Sequence, residues 1–307
     1  MTASTKNTDA LLTRHRTAIV QGRKAFYRES GKLNSQAIVL LHALPSSSRE
    51  FRDLIPKLCD RFHVIAPDYI GFGHSEAPPR KEFAYTFDKL AEHVAGLLDV
   101  LEVRSYVLYM HGIGGPIGFR LFEQNPERVK GFIIQNVDGY AVGIGSPAKD
   151  ALFPLWQYRD IESEDLVREF LSLEGTKYQW LEGARDQEHV DPDNWLIDQY
   201  LLERPGALDN QIDLLESYAS NLASRDGWHA AFRAHKPATL ILWGKSDPFF
   251  LPEEAEAFLQ DIPDAKLVWL NTGHFVLGEC LDEVAKNIRI TFDDANFRPP
   301  DIARFFG

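Results

Sequence analysis

Hydrophobic positions along the first 137 residues alternate between short unbroken runs and longer stretches of helical spacing. Gln36–Leu41 and Phe62–Ala66 are nearly continuous apolar runs, as expected of strands buried on both faces. Tyr106–Met110 and Gly131–Gln135 read the same way. Between these runs the spacing predicts helices over Ser47–Leu58, Phe87–Leu101 and Pro116–Gln124, with Pro67 stopping one strand and Pro126 following the last helix. His15–Val20 and Lys24–Arg28 read as an opening antiparallel pair. A βαβα rhythm of this kind implies a parallel sheet wrapped by helices.

The rhythm breaks from roughly Asp138 to Arg233. That stretch is rich in Trp, Tyr, Leu, Glu and Asp, and its periodicity is helical. The sheet pattern then resumes, with Ala238–Trp243 as a strand, Pro252–Leu259 as a helix, Lys266–Leu270 as the last strand and Asp282–Phe292 as a closing helix. The expected organisation is therefore an α/β core of residues 1–137 and 234–307, interrupted by a helical cap over 138–233. Binding crevices lie outside the carboxyl ends of the strands in such sheets, which is where the cap is expected. There are no internal repeats or low-complexity tracts.

Composition narrows the class. The 307 residues, 44% hydrophobic and 25% charged, suit a globular protein with a full core. Lys and Arg total 33 against 45 Asp and Glu, a formal charge of -12. That balance carries no electrostatic footprint for nucleic acid or an anionic membrane. The chain has no signal-type apolar run and no membrane-length segment, and its polar first nine residues are expected to fray. Cys59 and Cys280 are the only cysteines, which fits a reducing, cytoplasmic setting rather than a disulfide framework. The ten His show no metal-ligand spacing, so neither metal nor cofactor is expected. A monomer or homodimer acting on a small molecule is the expected form.

Residues 106–120, Tyr-Val-Leu-Tyr-Met-His-Gly-Ile-Gly-Gly-Pro-Ile-Gly-Phe-Arg, read as a strand, a Gly-rich hinge and the start of a helix. This is the layout of a nucleophile elbow, where Ser, Cys or Asp sits on the sharp turn among small residues. Gly114, Gly115 and Gly118 supply the small residues. Counting back from Gly114 puts the nucleophile position at Gly112, which has no side chain. A shifted register would make His111 the nucleophile, but Tyr109 and Ile113 are then too large for the close backbone approach. The plain alternative is a Gly-rich turn between a strand and a helix.

Further motifs come in a fixed order around that hinge. They are His42-Ala43-Leu44-Pro45, Asp68-Tyr69-Ile70-Gly71-Phe72-Gly73-His74-Ser75, Trp243-Gly244-Lys245-Ser246-Asp247-Pro248 and Thr272-Gly273-His274-Phe275. With them the chain resembles an α/β-hydrolase over about residues 12 to 293, in the branch of haloalkane dehalogenases and epoxide hydrolases. The resemblance implies an α/β fold with a mostly parallel eight-stranded sheet, flanking helices and a helical cap. It implies His274 as general base and Asp247 as the acid that orients it, an imidazole being suited to proton transfer near neutral pH. It places an oxyanion hole on the backbone N–H groups of Ile113 and of Leu44 or Ala43. His42 is expected to hold its loop rather than to catalyse.

Other residues are open to more than one reading. Asp247 also suits a turn ahead of Pro248. Asp138, where the cap opens, reads as a second acid, a ligand contact or a hinge residue. Candidate substrate contacts are His111, Asp138, Trp156, Tyr158, Tyr218 and Phe275. Tyr158, Tyr178, Tyr200 and Tyr218 are possible cap proton donors, or core packing. Dehalogenation is disfavoured, because Ile113 and Leu44 stand where that branch places N–H donors for halide. Three functions remain. The His274–Asp247 dyad serves lyase, isomerase or cyclase chemistry without a covalent intermediate; or it activates water directly against an ester, lactone or epoxide; or the protein binds a small molecule without turning it over. Retention of both His274 and Asp247 weighs against the last.

Overall fold

The computed structural model describes residues 11–293, so the nine residues expected to fray lie outside the described residues. Eight strands, β1 (Arg14–Val20), β2 (Arg23–Ser30), β3 (Ala37–Leu41), β4 (His63–Pro67), β5 (Tyr106–His111), β6 (Val129–Gln135), β7 (Ala238–Gly244) and β8 (Lys266–Leu270), form one sheet. Their order across it is β1-β2-β4-β3-β5-β6-β7-β8. Only the β1–β2 and β2–β4 pairs are antiparallel; β4 through β8 run parallel.

The unbroken apolar runs follow from a sheet covered on both faces. In β3, Ala37, Val39 and Leu41 point into one core layer while Ile38 and Leu40 point into the other. In β5, Tyr106, Leu108 and Met110 divide from Val107 and Tyr109 in the same way. Each such side chain taken fully from water stabilises the fold by about 1.5–3 kcal/mol, so both layers fix the register.

The helices in chain order are α1 (Ile55–Leu58), α2 (Phe87–Val100), α3 (Gly114–Gln124), α4 (Ser146–Gln157), α5 (Ile161–Phe170), α6 (Leu173–Leu181), α7 (Asp193–Leu202), α8 (Ala207–Ser217), α9 (Ala219–His235), α10 (Pro252–Asp261) and α11 (Leu281–Phe292). The single helix expected over Ser47–Leu58 is instead a 3₁₀ turn at Ser48–Phe51 followed by the four-residue α1. Pro56 has no N–H to continue a helix from the preceding turn, and the Ser48 N–H is taken by the Asp68 carboxylate at 2.8 Å.

All of α4 to α9 lies between β6 and β7. The last of these helices packs on the core. Trp228 and Phe232 of α9 are fully buried, with ring centroids 5.3 and 5.2 Å from Phe119 of α3. Helices α4, α5, α6 and α8 carry Leu152, Phe170, Gln179 and Leu215, which lie around Gly112 at the carboxyl end of β5. No described helix is long and apolar enough to cross a membrane.

Candidate active site

Strands β7 and β8 are parallel neighbours, so the loops leaving their carboxyl ends emerge side by side. One carries Asp247 and the other His274. His274 Nδ1–H donates to Asp247 Oδ2 at 2.8 Å. A carboxylate only accepts, so this bond fixes the proton on Nδ1 and leaves Nε2 free. Asp247 is held in turn: its Oδ2 accepts from Asn136 Nδ2 at 2.7 Å and its Oδ1 from the Phe249 N–H at 2.7 Å. Asn136 adopts a left-handed backbone (φ 42) and also brackets Gly244, accepting its N–H and donating to its carbonyl. The imidazole and carboxylate are both buried.

Gly112 sits on the turn from β5 into α3 with φ 54. The position a Cβ would take there lies 3.5 Å from His274 Nε2 and 2.9 Å from the Ala43 Cβ. Two residues on, Gly114 lets α3 start against β3; a Cβ there would meet the Leu41 carbonyl oxygen at 2.4 Å.

A cavity opens above this turn, bordered by His274, Gly112, Leu44 and Ile113 from the core. The helices add Leu152, Trp156, Phe170 and Gln179, the junction of α8 and α9 adds Tyr218, and the loop after β7 adds Phe249 and Phe250. The walls are predominantly apolar. The Leu44 and Ile113 N–H groups donate to no acceptor among the described residues. The arrangement therefore offers a cavity-facing imidazole, two free backbone donors and no side chain on the turn between them.

The Ala43 N–H, expected as an alternative donor, is taken instead by Glu50 Oε2 at 3.0 Å. The other oxygen of Glu50 meets His111 Nδ1 at 2.9 Å. One buried carboxylate thus ties the segment before Leu44 to the segment before Gly112 and Ile113. Burial pushes the Glu50 carboxyl up to about 7. Burial, and then the neighbouring His274, lowers His111 well below the ordinary imidazole value.

His111 is a correction to the expected substrate contacts. It is fully buried behind the His274 ring, with centroids 4.5 Å apart, and does not border the cavity. Phe275 is another: it stacks on Trp180 at 3.8 Å and does not border the cavity. Tyr158 is 74% exposed at the end of α4 and faces solvent. Asp138 touches neither the cavity nor the imidazole. Its Oδ2 accepts from Arg225 Nη2 and from the Tyr218 hydroxyl, and its Oδ1 from the Ala141 N–H. It anchors the helical insertion where that insertion begins. Trp156 and Tyr218 do line the cavity, but their polar ends are committed, Trp156 Nε1 to the Leu215 carbonyl at 2.7 Å and the Tyr218 hydroxyl to Asp138 at 3.1 Å. His42 holds its own loop, stacked on Tyr69 at 3.9 Å and bonded through Nδ1 to the Ala43 carbonyl. Among the described residues no group of His, Cys, Asp and Glu is arranged to hold a metal ion.

Residues 36–279 match the model of the alpha/beta hydrolase fold family. The chain belongs to this family. It is 33% identical over 277 residues to an uncharacterized hydrolase of Saccharomyces cerevisiae, covering 89% of this chain and 95% of that protein. It is 28% identical over 285 residues to a cis-3-alkyl-4-alkyloxetan-2-one decarboxylase of Shewanella oneidensis, covering 87% and 85%. Among solved structures, Cfl2 from Burkholderia cenocepacia superposes with a TM-score of 0.76 at 21% identity, over 91% of this chain and 96% of that one. The likeness to Cfl2 is one of fold.

Glu50, Asn136 and Gln179 were not among the residues singled out from sequence. Glu50 follows Ser-Ser-Ser-Arg, a polar run that reads as surface, and nothing in that run signals its burial. Asn136 directly follows a predicted strand and carries the turn-forming residue type, a signal that was available.

Proposed function

We propose that this chain is an α/β-hydrolase-fold enzyme that works by general acid–base catalysis without a covalent intermediate, on a small, mostly apolar carbonyl compound. The observation that carries the reading is the open turn beside the base. The point where a Cβ on residue 112 would sit is 3.5 Å from His274 Nε2, so a substrate carbon can occupy the place of a nucleophile.

His274 Nε2 takes a proton from the carbon next to the substrate carbonyl. The C–H electron pair moves into the carbonyl system and the charge gathers on oxygen. The Leu44 and Ile113 N–H groups receive that oxygen, as preorganised donors in an apolar site. Asp247 stabilises the imidazolium so formed. The proton then returns to a different carbon, an isomerisation, or the enolate expels a substituent on the β-carbon, an elimination. The Shewanella oneidensis relative supports the substrate class, since an oxetan-2-one with a 3-alkyl group is a compact carbonyl compound with a hydrogen on the adjacent carbon.

A second reading has direct support from the hydrolase name of the Saccharomyces cerevisiae relative. In it His274 activates a water that attacks an ester, lactone or epoxide. Turnover of apolar carbonyl compounds, esters and epoxides in ¹⁸O-labelled water, with intact-mass analysis of the quenched protein, separates these readings. Proton-transfer chemistry gives unlabelled product and unmodified protein. Labelled product from unmodified protein favours direct hydrolysis, and an adduct on any side chain overturns both.

A further inference from the structure

Four residues bordering the cavity carry polar side-chain atoms: His274, Trp156, Tyr218 and Gln179. Trp156 and Tyr218 spend their donors inside the protein, and His274 Nε2 is the base of the proposed reaction. Gln179, on α6, is 2% exposed. Its Nε2 donates to the Phe170 carbonyl at 3.0 Å. That bond fixes the amide, because the flipped orientation would oppose two carbonyl oxygens. Gln179 Oε1 therefore accepts from no donor among the described residues, at a wall otherwise built of aromatic and aliphatic groups.

This acceptor borders an apolar cavity without a protein donor, so a ligand that supplies one gains a hydrogen bond there. We propose that Gln179 Oε1 is the second polar anchor of the substrate site, and that the substrate is an apolar carbonyl compound bearing one neutral hydroxyl away from the carbonyl. The hydroxyl is neutral because an ammonium would be desolvated among Phe170, Phe249 and Leu215 with one amide oxygen for company. A phenolic hydroxyl fits best, since its ring matches the aromatic walls made by Trp156, Phe170 and Phe249. The donor end is read by the helical insertion and the carbonyl end by the sheet loops. This inference rests on the carbonyl-site reading given above.

Titration of the intact protein with three probes tests it: a para-hydroxyphenyl alkyl ketone, the same ketone with an unsubstituted phenyl ring, and its para-methoxy analogue. The expected result is roughly tenfold tighter binding of the phenol than of either analogue, the upper range of what one net hydrogen bond contributes. Gln179→Leu should erase that preference while still binding the phenyl ketone. If the variant fails to fold, the three-probe series on the parent protein decides alone, because the methoxy group can only accept. Equal binding of all three probes overturns the role of Gln179 and leaves the carbonyl site standing. Preference that survives in Gln179→Leu overturns it as well. Failure of every ketone to bind overturns the carbonyl site, and the second anchor with it.

Discussion

A side chain at Gly112 and the methyl group of Ala43 exclude one another: the Cβ of the first would lie 2.9 Å from the Cβ of the second. Gly112 also has φ 54, where any residue with a Cβ is strained. The open turn is therefore matched by its neighbour. Gly112→Ser should destabilise the protein by about 1–3 kcal/mol, as overpacking does, and should remove native turnover by filling the reacting space. Ala43→Gly combined with Gly112→Ser should cost less than the sum of the single changes, with denaturant midpoints as the measure. Strict additivity would mean that the two positions do not meet. Weak ester or epoxide hydrolysis is expected in the double variant, where the introduced hydroxyl would complete a triad with His274 and Asp247.

His274→Ala should lower turnover by about 10²–10⁴-fold, the usual contribution of a positioned base, with an unchanged circular dichroism spectrum. Asp247→Asn should also be severe, because Asp247 fixes the imidazole tautomer through the 2.8 Å bond to Nδ1. Activity within a few fold of the parent in either variant would contradict a His–Asp dyad.

Arg225 Nη2 donates to Asp138, which ties α9 to the residue that opens the insertion. Arg225→Ala leaves the buried Asp138 carboxylate without its charged partner and should cost about 3–5 kcal/mol. Adding Asp138→Asn should recover part of that loss in denaturant unfolding. No recovery would show that Arg225 acts through packing alone.

The middle of the sheet was legible because β3 to β7 are buried on both faces, so a nearly unbroken apolar run marks each one. The His274–Asp247 hydrogen bond was legible too, since the two residues follow the two strands that end the sheet. The cavity wall was not. Trp156 and Tyr158 stand two residues apart at the end of α4, yet one lines the cavity and the other is 74% exposed. At that helix end the chain turns extended, and sequence spacing no longer sets direction. Asp138 looked chemical because it ends a strand near the site; its partner Arg225 lies 87 residues further on, beyond the reach of any local pattern.

Burial pushes Glu50 up to about 7, and Asp198, bonded to Trp180 and Ser46, also to about 7. An unfolded carboxyl titrates near 4. Between roughly pH 4 and pH 7 the folded chain then binds more protons than the unfolded one, so these two groups make stability fall as pH rises through that window. Glu50→Gln keeps an acceptor for the Ala43 N–H and gains a donor for His111 Nδ1, without the charge. The variant should match the parent near pH 4 and exceed it at pH 8 by on the order of 1–3 kcal/mol. Urea unfolding at the two pH values measures this. An equal difference at both would mean that Glu50 does not titrate in the window.

Hydrogen exchange at carbon tests the proton-abstracting site most directly. Apolar ketones, with the para-hydroxyphenyl alkyl ketone among them, are incubated with the protein in deuterium oxide, and loss of the proton signal beside the carbonyl is followed by NMR. The expected result is exchange well above the buffer rate with the parent protein, abolished by His274→Ala and unaccompanied by any change in protein mass. Exchange that persists in His274→Ala, or an ester or epoxide turned over through a trapped covalent adduct while no ketone exchanges, would contradict it.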